Sequence, residues 1–142
     1  TDTFQTTGIR GLIKEMTLEE LKALDCGEGE KIPTLNELIG IAKGKIGLQV
    51  EIKVRGMEKQ LVSILKEEDL IESSIISCFL HNKLLKIQKL EPKLKLGALI
   101  PYLPEAQMNW ENRKRIIKNA VNKNFFAIHP EYQQIDQRYI EF

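Results

Sequence analysis

The stretch 48–54 holds an acidic and a basic residue, Glu51 and Lys53, two positions apart. Apolar and polar residues alternate along it, so a strand would place Glu51 and Lys53 on one face and the apolar side chains on the other. Folds built from parallel strands place their functional groups at the carboxyl ends of the strands, where this pair would lie. Glu51 and Lys53 are therefore candidates for a functional site. The same alternation also fits an edge or solvent-facing strand in which both side chains are merely hydrated.

Three further strands are predicted downstream, and helices separate all four. The predicted strands are 46–54, 75–79, 96–100 and 125–128, and the predicted helices between them are 57–69, 82–90 and 109–122. Strands that alternate with helices are typical of a parallel sheet with right-handed crossovers, so the α/β fold class is predicted. The even spacing of the strands predicts one domain over residues 1–142. Apolar residues at helical spacing after Pro130 predict the start of a further helix.

Two capping boxes predict helices ahead of these strands. In the segments 17–20 and 34–37, a threonine stands three residues before a glutamate. The threonine oxygen accepts a hydrogen bond from an amide of the first helical turn, while the glutamate reaches back to the threonine amide. Helices are therefore predicted over about 17–24 and 34–44. Residues 1–14 contain glycines and no clear periodicity, and they are predicted to form an irregular loop.

The composition predicts a globular protein with a core of ordinary size. Of the 142 residues, 42% are apolar and 29% are charged. With 21 basic and 20 acidic residues the formal net charge is +1, which gives no support to bulk binding of nucleic acid or an anionic membrane. The basic run 113–115, with Lys118, is predicted to be a solvated helix face. No apolar run approaches the roughly 20 residues of a membrane span.

The two cysteines, Cys26 and Cys78, lack the spacing of a metal site. We expect both to be reduced and Cys78 to be buried. Reduced cysteines favour a reducing compartment such as the cytoplasm, and an exported protein is the alternative.

Several short segments resemble, in order, the glycerophosphodiester phosphodiesterase family, whose members are variants of the eight-stranded β/α barrel. The segments are Thr6-Thr7-Gly8, Met16 to Asp25, Ile32-Pro33-Thr34-Leu35, Val50-Glu51-Ile52-Lys53, Ile75 to Phe79 and Leu90-Glu91-Pro92. They follow the family's order and spacing over nearly all of the chain. The resemblance implies a partial β/α (TIM) barrel in which this chain matches barrel strands four to seven.

The resemblance also implies an activity and a site. Family members are phosphoric diester hydrolases that cleave a small-molecule glycerophosphodiester to glycerol 3-phosphate and an alcohol with a divalent cation, a reaction of lipid and glycerol metabolism. By resemblance, Glu51 is a metal ligand, and its oxygens suit Mg²⁺ or Ca²⁺. Lys53 is the catalytic residue by the same resemblance, and it would bind the phosphate or the charge that builds up in the transition state. Ser77 and Phe79 match the family's Ser-x-Phe strand end and are expected to bind substrate.

The sequence departs from the family pattern in its acid and base groups. The family's His-Arg-Gly segment, its Glu-x-Asp metal pair and its His-Asp segment belong before Thr1, and a late strand with a tryptophan belongs after Phe142. His81 and His129 do not match the family's catalytic histidines and are expected to have packing or surface roles. General acid–base catalysis is typically worth about 10²–10⁴-fold, so residues 1–142 alone are expected to hydrolyse little or nothing.

The half barrel implied by this match would leave sheet edges unpaired. We expect the remaining strands to exist outside this sequence. Pairing with another copy in a homo-oligomer, or a degenerate and inactive remnant, are the alternatives.

Two other functions fit parts of the same pattern. The first is a non-catalytic binding or assembly module of the same fold. The second is a β/α-barrel enzyme in which Lys53 forms a Schiff base, which requires a lowered lysine pKa. Glu51 on the same face is expected to raise the pKa of Lys53, so the residues favour this function less.

Overall fold

The computed structural model describes residues 2–101, 103–104 and 109–142. The chain forms two compact units, one ending at Lys45 and the other running from Ile46 to Phe142. The prediction that residues 1–142 belong to a single domain stays a prediction.

Short helices make up the first unit. They are α1 (Phe4–Thr7), a 3-10 helix (Ile13–Glu15), α2 (Leu18–Ala23) and α3 (Leu35–Ala42). The irregular loop predicted over 1–14 is wrong in part, because this segment contains α1 and an antiparallel bridge between Asp2 and Leu12. The Thr3 side chain is buried and donates a hydrogen bond to the Ile9 carbonyl at 2.6 Å. Such a contact between two turns leaves no periodic signal in the sequence.

Both predicted capping boxes are present, at the starts of α2 and α3. Thr17 Oγ1 accepts from the Glu20 amide at 3.2 Å, and the Glu20 carboxylate accepts from the Thr17 amide at 2.7 Å. Thr34 and Glu37 repeat this arrangement. The Lys22 ammonium also donates to the Glu37 carboxylate. Together with the hydrogen bonds from Thr34, it lowers the pKa of Glu37 to about 2.

The second unit is a parallel four-stranded sheet whose strands alternate with helices, as the sequence predicts. In chain order it holds β1 (Leu48–Glu51), α4 (Glu58–Glu67), β2 (Ser74–Cys78), α5 (His81–Leu90), β3 (Lys95–Ile100), α6 (Trp110–Asn122), β4 (Ala127–Pro130), a 3-10 helix (Tyr132–Gln134) and α7 (Gln137–Glu141). The strands lie in the order β1-β2-β3-β4, each parallel to the next. None of the helices in the described ranges combines the length and the apolarity that crossing a bilayer requires.

Strands β1 and β4 differ most from their predicted ranges, 46–54 and 125–128. β1 ends at Glu51, so Lys53 lies in the connection to α4, where Gly56 turns the chain with a φ of 88°. β4 continues through His129 to Pro130, two residues past the predicted end. Proline has no amide hydrogen to donate to a strand ladder, and Pro130 is the final residue of β4.

One face of the sheet packs on the helices and forms the core. On this face Ile76 and Cys78 of β2 are 0% and 1% exposed, and Leu84 and Ile87 of α5 are fully buried. Full burial of a leucine or isoleucine side chain contributes about 1.5–3 kcal/mol. The predicted burial of Cys78 is confirmed. Leu90 is 37% exposed because α5 ends there.

The C-terminal segment is tied to α6 through Arg113. Arg113 Nη1 donates to the Gln134 carbonyl at 2.8 Å and pairs with Asp136 at 2.7 Å, and only 12% of the Arg113 side chain is exposed. The predicted solvated face over 113–115 is therefore wrong at Arg113, because the chain after β4 returns over it. Asp136 also caps α7 by accepting from the Tyr139 amide at 2.8 Å. The predicted C-terminal helix is confirmed.

Candidate active site

Glu51 and Lys53 form an ion pair at the carboxyl end of β1. Lys53 Nζ lies 2.6 Å from Glu51 Oε2. The Lys53 side chain is 52% exposed and the Glu51 side chain is 32% exposed. An ion pair this open to solvent contributes at most about 1 kcal/mol to folding, so this pair adds little to the stability of the protein. The pair is accessible to a charged molecule that approaches from solution.

The strand register places three other residues in a row with Glu51. Across the sheet from β1 to β4, the row runs Glu51, Ser77, Gly97 and Ala127. Residues paired in register on neighbouring parallel strands point to the same face of a sheet. This row therefore lies on the face opposite the helix-packed core, and Ser77 is the direct neighbour of Glu51.

Ser77 is the buried polar residue of this row. It is 1% exposed, and no group within the described part of the chain forms a hydrogen bond with its hydroxyl oxygen. A buried hydroxyl without a partner costs about 1–3 kcal/mol. Such a hydroxyl is suited to bonding a polar group of a ligand, which is the role predicted for Ser77. That role stays a prediction.

Phe79 lies just past the end of β2 and is 51% exposed. Its ring lines a cavity of about 200 Å³ together with His81, Leu99 and Lys123. This cavity lies at the carboxyl ends of β2 and β3. The substrate contact expected of Phe79 stays a prediction.

The two histidines have different surroundings. His81 Nε2 lies 3.0 Å from the Leu99 carbonyl oxygen, and its ring meets Phe125 edge-on with 5.8 Å between the ring centroids. These contacts fit the packing role expected of His81. His129 lies two residues after Ala127 and so points to the face that carries Glu51, which sequence reasoning missed because the predicted strand ended at 128.

His129 also shows that the sheet is curved. Its Nδ1 lies 3.2 Å from Nε2 of Gln49, although β4 and β1 are the last and first strands of the sheet. In a flat sheet three strand spacings amount to about 14 Å, which is too far for these two side chains to span. The strands therefore curve toward the face of Glu51. A Cβ atom at Gly97 would lie 2.8 Å from His129 Cε1, so the glycine makes room for the ring.

The described residues do not make a complete metal site. Across 2–101, 103–104 and 109–142, no three His, Cys, Asp or Glu side chains come together in a way that could hold a metal ion. Glu51 is the one carboxylate in its row, and the Lys53 ammonium already neutralises it. Mg²⁺ and Ca²⁺ take six or more oxygen ligands, so Glu51 could supply only a small part of such a set.

A parallel β/α sheet that curves toward a charged pair at its carboxyl edge defines a protein of the β/α-barrel class. The Glycerophosphoryl diester phosphodiesterase family model matches residues 2–140. The chain therefore belongs to the glycerophosphoryl diester phosphodiesterase family, and the resemblance inferred from its segments is confirmed.

Individual relatives agree with this assignment. A glycerophosphodiester phosphodiesterase from Caldanaerobacter subterraneus subsp. tengcongensis is 35% identical over 140 residues, covering 89% of this chain and 57% of that protein. A candidate glycerophosphodiester phosphodiesterase from Galdieria sulphuraria superposes with a TM-score of 0.77 at 23% identity, covering 99% of this chain and 57% of that one. An Oleispira antarctica phosphodiesterase, solved with the product sn-glycerol-3-phosphate, has a TM-score of 0.60 at 24% identity and coverages of 99% and 77%.

These likenesses confirm the predicted partial β/α barrel. The chain spans about half the length of the curated relatives it matches.

Proposed function

We propose that the protein carrying this chain hydrolyses a glycerophosphodiester to glycerol 3-phosphate and an alcohol. The observation that carries the proposal is the accessible Glu51–Lys53 ion pair at the carboxyl end of β1, next to the buried hydroxyl of Ser77. Membership in the family and the names of the relatives support the reaction type.

Lys53 is proposed to bind the phosphate of the substrate. In the reaction, a water oxygen forms a new bond to phosphorus while the bond from phosphorus to the alcohol oxygen breaks. Water loses a proton and the departing alcohol gains one. In the transition state, negative charge builds up on the phosphoryl oxygens. A nearby ammonium therefore stabilises the transition state more than the ground state.

Glu51 is proposed to hold Lys53 in place and to offer one oxygen ligand to a divalent cation, Mg²⁺ or Ca²⁺. Because the described residues do not complete a metal site, no step is assigned to the cation. Ser77 and Phe79 are proposed to contact the substrate, through a hydroxyl and an apolar surface respectively. The two cysteines are free, which supports a proposed location in the cytoplasm.

Turnover by the full-length polypeptide tests this function. Purified protein is incubated with sn-glycero-3-phosphocholine and a divalent cation, and release of glycerol 3-phosphate is followed with a coupled dehydrogenase. Release that depends on added enzyme supports the proposal. Hydrolysis of a simple dialkyl phosphate but of no glycerophosphodiester would contradict the proposed substrate class.

A non-catalytic binding module is the second candidate. The accessible ion pair beside a buried hydroxyl could bind a phosphodiester without cleaving it. Calorimetry distinguishes the two functions, since a binding module would take up sn-glycero-3-phosphocholine without releasing glycerol 3-phosphate. We also propose that residues 1–142 expressed alone hydrolyse the substrate little or not at all. Neither His81 nor His129 matches the family's catalytic histidines, so this stretch has no assigned general acid or base.

A further inference from the structure

The backbone on both sides of Lys53 is held by groups from β2 and α5. The amide of Ile52 donates to the Ser77 carbonyl at 2.9 Å, and the Cys78 thiol donates to the Ile52 carbonyl at 3.2 Å. On the other side, the Lys83 ammonium donates to the Val54 carbonyl. The peptide carbonyls of the residues before and after Lys53 are therefore both bound to side chains of other elements.

Lys83 is unusual among the lysines of α5. It is 3% exposed, whereas Lys86 and Lys89, on the same helix, are exposed to solvent. Taking an ammonium out of water is costly unless it is hydrogen-bonded. The buried Lys83 head group meets this requirement at the Val54 carbonyl, so the position of the helix side chain and the position of the loop are coupled.

The far end of this loop is also fixed. Gly56 turns the chain with a positive φ, and Glu58, the first residue of α4, is buried. Its own backbone amide is the main cause of the lowered pKa of Glu58, and the charges of Lys86 and Lys83 contribute to it. The loop that carries Lys53 thus lies between two hydrogen-bonded carbonyls, and a buried side chain follows it.

We propose that Lys83 is a positioning residue for Lys53. By binding the Val54 carbonyl from α5, it sets the direction in which Lys53 leaves the backbone and hence the place of the Lys53 ammonium beside Glu51. The inference rests on the proposed function, in which Lys53 binds the phosphate. A displacement of about 1 Å at a reacting group can cost about 10²-fold in rate, so a contact that fixes this loop matters for turnover.

Steady-state kinetics of Lys83→Met in the full-length polypeptide test the proposal. Methionine keeps the apolar stem and removes the donor to Val54. We expect kcat/KM to fall by about 10-fold or more. The parameter that changes, kcat or KM, should be the same one that changes in Lys53→Met. The matched control is Lys86→Met, which removes an equal charge near Glu58 from the same helix without contacting Val54, and it should change kcat/KM less than about 2-fold.

A double-mutant cycle separates positioning from a general loss of structure. If Lys83 acts through Lys53, Lys83→Met should cost little once Lys53→Met is present. An equal cost in both backgrounds, or a Lys83→Met enzyme as active as Lys86→Met, would overturn the proposal. If Lys83→Met does not fold, Lys83→Gln, whose shorter side chain ends short of the carbonyl, takes its place.

Hydrogen exchange tests the same contact without any activity. We expect the amides of residues 53–56 to exchange faster in Lys83→Met than in Lys86→Met, while amides of β2 stay unchanged. Equal exchange in the two variants would overturn the inference. An inactive wild-type protein with this selective change would instead count against the proposed function and leave the positioning contact supported.

Discussion

His129 Nδ1 lies 3.2 Å from Gln49 Nε2, a hydrogen-bond distance, and this contact joins the last strand of the described sheet to the first. The ring lies against Gly97 of β3. This contact lies on the face of Glu51 and stabilises the curvature that brings the strand ends around the candidate site.

Gly97→Ala is expected to destabilise the protein by about 1–3 kcal/mol, because the new methyl group would overlap the His129 ring. Urea denaturation measures this change. Gly40→Ala is the matched control, since position 40 lies in α3 with open space around it, and it should be neutral or stabilising by up to about 1 kcal/mol. Equal stabilities for Gly97→Ala and wild type would show that His129 does not pack as described.

Lys53→Met is expected to lower kcat/KM for sn-glycero-3-phosphocholine by about 10²–10³-fold, as the loss of one preorganised charge at a reacting centre typically does. The coupled assay for glycerol 3-phosphate measures the effect. Lys59→Met removes an exposed lysine of α4 and should leave turnover within about 2-fold of wild type. Wild-type turnover by Lys53→Met would exclude Lys53 from the site.

Acid should weaken the first unit through Glu37. Its pKa in the folded protein is about 2, against an ordinary value of 4.5, so its carboxylate stabilises the fold fully above pH 4.5 and loses that effect as the pH falls toward 2. Circular dichroism over this range should show a steeper loss of stability for wild type than for Glu37→Gln. The control Glu19→Gln removes an exposed carboxylate from α2 instead of α3, and it should follow the wild-type profile. Identical profiles for wild type and Glu37→Gln would contradict the prediction.

Arg113→Met is expected to release the C-terminal segment from α6, because it removes the bonds to Gln134 and Asp136. Faster amide exchange in α7, with unchanged exchange in β2, is the expected result. The pKa of Asp136, which the Arg113 guanidinium lowers, should rise toward its ordinary value. The control Arg115→Met changes an exposed position of the same helix and should alter neither quantity. Unchanged amide protection of α7 in Arg113→Met would show that other contacts hold α7 in place.

Local patterns predicted the elements well. The two capping boxes identified the starts of α2 and α3, and all four strands of the second unit were predicted. Boundaries were less accurate, as at Glu51 and His129, because a strand ends where its partner strand stops offering hydrogen bonds. That limit depends on another part of the chain.

The sequence by itself determined the α/β class, the alternation of strands with helices and, through its ordered segments, the family. These follow from interactions among residues a few positions apart and from motifs that keep their spacing. Only the tertiary structure decided that His129 reaches Gln49, that Arg113 is largely covered, and that Lys83 binds the loop of Lys53. Each of these contacts joins residues more than 20 positions apart, and no local pattern records which distant groups the curvature and packing of the sheet will bring together.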